Sequence, residues 1–179
     1  MVSEASTAAA GDWSRAVYQA LKDQGVTVVG FVPDGGMKQV IDLCLADPAM
    51  RTIPLTNESE GPCLMAGAWL GGARGCLIMQ STGVGNTINN ATMNEVCQFP
   101  MVALVSMRSS WSEGNRWQVP MGERCRRYFE MAGFHVQTVE DPADAGASVA
   151  AAVEQAYHTL NGVGVFFSQR VMGVKKFLR

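Results

Sequence analysis

Three short polar segments in this sequence carry residue types that handle protons, anions or polar ring edges. Asn57-Glu58 sets a carboxylate just before a long helix-forming stretch rich in Ala, Leu, Met and Trp. A carboxyl group in such an apolar setting is desolvated, which raises its pKa and makes proton sharing feasible. The position also has a plainer use, because Asn57 and Glu60 have capping-box spacing and an acid at Glu58 complements a positive helix end. Ser81-Thr82-Gly83-Val84-Gly85-Asn86 lets backbone approach a ligand closely and runs into a helix start, which favours anions and polar edges. An ordinary strand-to-helix turn explains it equally well. Pro33-Asp34-Gly35-Gly36 is a turn signal.

The glycine loop is not a dinucleotide fingerprint, since Ile88 stands where the third glycine belongs, and no Gly-Lys-Ser/Thr follows to make a Walker loop. The five cysteines are odd in number, widely spaced and without a Cys-x-x-Cys pair, which argues against a disulfide framework or a zinc site. His135 and His158 are too far apart for a local metal motif and read as structural residues. No metal ligands are expected in this chain.

The elements that must position these segments alternate between strand and helix. Asp12 is expected to cap a helix with Trp13, Val17, Ala20 and Leu21 on one stripe, ended by Gly25. Strands are expected at 26–32, 52–56, 75–80, 101–106, 135–139 and 162–167, and helices at 37–46, 57–72, 86–97, 123–132 and 141–160. Pro54 weakens the second strand as a central one. Most strands are apolar runs without alternation, the mark of a parallel sheet covered on both faces. The fold class is therefore α/β: doubly wound, with a mostly parallel six-stranded sheet and helices on both faces. In such folds ligands bind beyond the carboxyl ends of the strands. The segments 33–36, 57–58 and 81–86 should gather there, and the long polar loop 107–120 leaves the same edge.

The chain has 179 residues, enough for one domain, with 47% hydrophobic and 17% charged residues and a net charge of −2. No basic field points to a nucleic acid, and no apolar run approaches the ~20 residues that span a bilayer. Residues 1–11 lack the basic flank and apolar stretch of a signal peptide and read as a disordered leader to a cytoplasmic protein. Residues 12–170 form the domain, and 171–179 a basic tail.

Taken in order, the motifs resemble the pyrimidine-binding domain of thiamine diphosphate enzymes, in particular the group containing sulfopyruvate and phosphonopyruvate decarboxylases. The likeness rests on Gly30-Phe31-Val32-Pro33-Asp34, on Asn57-Glu58-Ser59-Glu60-Gly61 leading to Ala66-Gly67, on Met79-Gln80-Ser81-Thr82-Gly83-Val84-Gly85-Asn86, on Phe99–Ser106, and on Pro120-Met121-Gly122 as a later turn. The family's active glutamate lies nine residues before a helix glycine, the spacing of Glu58 to Gly67. Glu60 is the fallback.

The resemblance implies a fold, a cofactor and a partner. Glu58 would hydrogen-bond a ring nitrogen of the aminopyrimidine and so activate thiamine diphosphate for 2-oxo acid decarboxylation. Thr82, Gly83, Gly85 and Asn86 would contact the cofactor, and Asp34 and Gly35 the substrate. The family holds the diphosphate through Mg²⁺ on a second domain with a Gly-Asp-Gly motif. This sequence has none, so a separate β subunit should supply it, in an assembly of at least α₂β₂, and this chain should be inactive alone.

Arg108 could bind an anionic substrate, or face solvent or the partner. The arginine excess over residues 107–127 suits a sulfonate or phosphonate, whereas Trp111 and Trp117 suit an aromatic substrate or an interface. A carboligase or lyase acting on an aromatic or other 2-oxo acid, or a non-catalytic α/β binding module, are the alternatives.

Overall fold

The computed structural model describes residues 7–173, with side chains from residue 13 onward. Six strands form one sheet: β1 (Val26–Phe31), β2 (Arg51–Pro54), β3 (Arg74–Gln80), β4 (Met101–Ser106), β5 (His135–Val139) and β6 (Gly162–Phe167). Their order is β2-β1-β3-β4-β6-β5, and every neighbouring pair is parallel. The fold is thus the expected α/β architecture, with a wholly parallel sheet. Pro54 ends β2 at the sheet edge, where a residue without an N–H breaks no interior ladder.

Residue alternation feeds two cores. Cys76, Ile78, Val102, Leu104, Val163, Val165 and Phe167 meet α1 (Thr7–Asp23), α2 (Lys38–Ala46) and α7 (Ala145–Thr159) on one face. Leu77, Met79, Met101, Ala103, Val105 and Phe166 meet α3 (Glu60–Leu70), α4 (Val84–Ala91) and α6 (Val119–Met131) on the other. All six residues of β4 are buried, which explains its unbroken apolar run. The short helices α5 (Met93–Cys97) and α8 (Gln169–Met172) complete the chain.

Several expected boundaries move. Helix α1 begins at Thr7, so Asp12 lies inside it rather than at its cap, and residues 7–11 of the expected leader are helical. Residues 1–6 and most of the expected basic tail (174–179) lie outside the described residues. Trp13, Val17, Ala20 and Leu21 are buried as the stripe required, and Gly25 closes the helix at φ 71°. The 86–97 helix is two helices that meet at Thr92. Pro120-Met121-Gly122 is no turn: it is the first turn of α6, where proline is well tolerated.

Helix α3 sits unusually close to β3. A Cβ placed on Gly61 would lie 2.4 Å from Leu77 Cδ2 and 2.6 Å from Cδ1, and Leu77 is fully buried. Gly61→Ala should therefore destabilise the chain by about 2 kcal/mol through overpacking. Urea unfolding of the variant against the parent measures this directly; an unchanged midpoint would show that the helix can retreat freely.

Candidate functional site

The crevice lies where doubly wound topology puts it. Strand order reverses between β1 and β3, so the loops leaving their carboxyl ends diverge around an open space. Glu58 enters from β2. Leu55 N donates to Phe31 O at 2.8 Å, which carries the sheet one residue past β2. Asn57 Oδ1 then accepts from Ser59 N at 2.9 Å, turning the chain. The expected Asn57–Glu60 capping box does not form, because Asn57 bonds two residues ahead and α3 starts at Glu60 without a side-chain cap.

Glu58 is buried, at 9% exposure. Its Oε2 accepts from Asn86 Nδ2 at 2.9 Å, while its Oε1 has no hydrogen-bond partner among the described residues. A Cβ on Gly83 would come within 2.5 Å of Glu58 Cγ, Cδ and Oε1. The carboxylate thus occupies the space that glycine leaves open. One turn beyond Asn86, Asn90 Nδ2 donates to Ser59 O at 2.7 Å. Two asparagines on one face of α4 therefore grip the Glu58 segment; their i,i+4 spacing was visible in the sequence, but their target was not.

Glu58, Thr82, Gly83 and Asn86 line a cavity of about 770 Å³ together with Arg116, Trp117, Pro120 and Met121 from the later loop and α6. Gly85 does not line it. A Cβ there would lie 2.8 Å from Met121 Cε, so Gly85 admits α6 against α4.

Asp34, Gly35 and Arg108 line a separate cleft of about 510 Å³, with Gln80, Ser106 and Gln169. Gln80 separates the two spaces: its Nε2 donates to Asp34 Oδ1 at 3.2 Å, and its Oε1 accepts from Thr82 Oγ1 at 2.7 Å. Asp34 Oδ2 accepts from the backbone of Gly36 and Met37, at 3.1 and 3.2 Å, and so shapes the start of α2. Gln80 was not singled out from the sequence, although its place at the end of β3 marks it.

Arg108 is already engaged. Its Nε and Nη2 donate to Glu113 Oε2 and Oε1 at 2.6 and 2.8 Å, and the two side chains are 14% and 4% exposed. Glu113 also accepts from Asn115 N at 2.8 Å and from Gln169 Nε2 at 3.1 Å. Gln169 Oε1 in turn accepts from Trp111 N at 2.9 Å. The 107–120 loop is thus built around one carboxylate. Trp111 stands 5.3 Å from the Arg170 guanidinium, against α8, and does not line the cavity.

The family model for the thiamine pyrophosphate enzyme N-terminal TPP binding domain matches residues 12–132. The chain belongs to this family. Its fold is that of the thiamine diphosphate-binding domain, and the family implies thiamine diphosphate as cofactor. Sulfopyruvate decarboxylase subunit alpha of Methanothermobacter thermautotrophicus is 32% identical over 155 residues, covering 86% of this chain and 94% of that one. Its counterpart in Methanococcus maripaludis is 36% identical over 118 residues, covering 65% and 71%. Phosphonopyruvate decarboxylase of Streptomyces viridochromogenes is 39% identical over 85 residues, 47% of this chain but 21% of the relative. Among solved structures, the 2-oxoglutarate:ferredoxin oxidoreductase of Magnetococcus marinus superposes over 90% of this chain and 29% of its own, with a TM-score of 0.71 at 13% identity. That likeness concerns the fold alone. The chain is a domain like the sulfopyruvate decarboxylase alpha subunit, and a subunit of that name implies a partner. Among the described residues, no helix is long and apolar enough to cross a membrane.

The Arg108 guanidinium holds the Glu113 carboxyl down at about 2, against an ordinary 4.5. A depressed acid contributes stability that is whole above its unfolded pKa and is lost as pH falls through its folded one. The loop should therefore be tightest above pH 4.5 and loosen as pH falls from there towards about 2. Hydrogen-exchange protection at residues 108–116, taken relative to the unstructured rate at each pH, reads it across that window, and Glu113→Gln should abolish its pH dependence while costing about 2 kcal/mol. Protection that stays constant with pH in the parent would refute the loop's dependence on this pair.

Proposed function

We propose that this chain is the pyrimidine-binding α subunit of a heteromeric thiamine diphosphate-dependent 2-oxo acid decarboxylase, and that Glu58 is its catalytic carboxylate. The observation that carries the reading is the Glu58 carboxylate itself: buried, fixed at Oε2 by Asn86, and open at Oε1 on a cavity of about 770 Å³.

These residues suit an aminopyrimidine. A polar ring edge needs an acceptor or a shared proton on one side and flat apolar contact on its faces. Glu58 and Thr82 offer the first, and Pro120 and Met121 the second. Thiamine diphosphate, when bound, supplies a carbon nucleophile and an electron sink for loss of CO₂. Glu58 would hold a proton at Oε1, shared with a ring nitrogen, while Asn86 keeps the carboxylate from rotating away. Gly83 would preserve the space for that geometry, and the Gln80–Thr82 bond would fix the loop beside it.

The diphosphate and Mg²⁺ would sit on a partner β subunit, a reading supported by the relatives that are named alpha subunits. The cavity would then be completed between chains, which makes α₂β₂ the smallest active assembly and leaves the α chain inactive alone.

Co-expression with a β subunit carrying Gly-Asp-Gly, followed by decarboxylation assays with thiamine diphosphate and Mg²⁺, tests this. Activity should require both chains, and Glu58→Gln should lower kcat by about 10²–10³-fold. Glu60→Gln should change it less than about threefold, because Glu60 does not line the cavity. Full activity of the α chain alone, or of the Glu58→Gln pair, would overturn the reading. Trp117, 80% exposed on the cavity wall, is the feature that favours an aromatic 2-oxo acid instead; benzoylformate outcompeting sulfopyruvate and phosphonopyruvate would establish that version. Product analysis separates simple decarboxylation from carboligation.

A further inference from the structure

The arginine excess of residues 107–127 suggests anion recognition without saying which arginine performs it. We propose that Arg116 is the specificity-determining cation, reading the second negative charge of a dianionic 2-oxo acid such as one bearing a sulfonate or phosphonate. The inference rests on the decarboxylase reading above and assigns a residue to its substrate class.

Four observations carry it. Arg116 lines the same cavity as Glu58. It is the only base among the described residues lining that space, as Glu58 is the only acid. Its guanidinium makes no hydrogen bond or ion pair among the described residues, so its donors are available to a ligand. Arg108, by contrast, opens on the neighbouring cleft with Nε and Nη2 both committed to Glu113. A guanidinium already paired in this two-pronged way has little left for a second anion.

The backbone beneath Arg116 is also held in place. Asn115 N donates to Glu113 Oε1 at 2.8 Å, and Asn115 Oδ1 accepts from Trp117 N at 3.1 Å. Gln118 N closes the turn on Asn115 O at 3.0 Å. The exposed arginine therefore projects from a capped turn anchored on a buried carboxylate. Glu113 thus has two effects: it neutralises Arg108 and fixes the segment that presents Arg116. With the cavity covered by a partner subunit, the Arg116 charge would lose competing water and bind a sulfonate or phosphonate through paired N–H groups. Trp117, Pro120 and Met121 around it supply the low-dielectric setting in which such a pair is strong.

The test uses the assembled αβ enzyme with sulfopyruvate and pyruvate, which differ by one anionic group. Arg116→Gln should lower kcat/KM for sulfopyruvate about 10–100-fold, chiefly through KM, and change that for pyruvate less than about threefold. Arg116→Lys should recover part of the loss, since it keeps the charge but not the planar fork. Calorimetric binding of the unreactive pair 3-sulfopropanoate and propanoate should show the same split, a weaker Kd for the first alone. Arg108→Gln should lower the melting temperature and, by loosening the loop while leaving the cavity's arginine in place, reduce the preference between the two substrates less than Arg116→Gln does. Equal losses on both substrates, a weakened thiamine diphosphate Kd in Arg116→Gln, or a larger loss of preference in Arg108→Gln than in Arg116→Gln would overturn the assignment. A wild-type pair that decarboxylates pyruvate but ignores sulfopyruvate and phosphonopyruvate would sink the Arg116 role and leave the decarboxylase reading standing. A pair inert on every 2-oxo acid would sink both.

Discussion

A parallel sheet has its strand ends sorted by direction, and this molecule depends on that sorting. All six carboxyl ends lie at one edge, so every loop that leaves a strand there contributes to the same surface. Helices must return the chain to the opposite edge, and they cover both faces in doing so. The cost is a sheet that is apolar on both sides, which β4 meets with six buried residues. Glu58, the Gly83–Asn86 segment and Arg116 are far apart in sequence. They line one cavity because three crossovers deliver them to one edge.

Within that edge, a few polar side chains set the geometry. Asn86 and Asn90 tie α4 to the Glu58 segment, and Gln80 ties the β3 loop to the β1 turn. Glu113 organises the long loop by gathering Arg108, Asn115 and Gln169 around one carboxylate. Each of these groups has its partners, and the Glu113 side chain is held almost entirely from water. An unpaired buried carboxylate would be costly, so such networks tolerate few alternative arrangements. Glu58 Oε1 and the Arg116 guanidinium, both in the cavity lining, have no such partner among the described residues. Polar groups left without partners beside a cavity are where a ligand is expected to bind.

The two arginines show how the same residue type acquires different uses. Arg108 and Arg116 sit eight residues apart in one polar segment. Arg108 lies within reach of Glu113 and becomes part of the framework. Arg116 follows the capped turn and stands at the cavity wall. Charge counting over the loop treats them alike, and only the position of Glu113 distinguishes them.

The sequence alone determined the family, the alternation of strand and helix, and the edge where the site would form. Apolar runs, turn residues and the Glu58–Gly67 spacing are local signals, and local chemistry writes them directly. The strand limits of β4, β5 and β6 follow from the same signals. The start of α6, the break at Thr92 and the missing capping box were not readable, because each depends on a distant contact or a competing local bond. Gly85 is an example: its sequence context suggests a ligand loop, but Met121, thirty-six residues away, takes the space its missing side chain leaves. The tertiary structure also decided that Asp34 and Arg108 are engaged by other side chains and backbone of this chain and that Arg116 lines the same cavity as Glu58. Hydrogen-bond partners are chosen by three-dimensional proximity, and sequence spacing constrains that only within a helix or a turn.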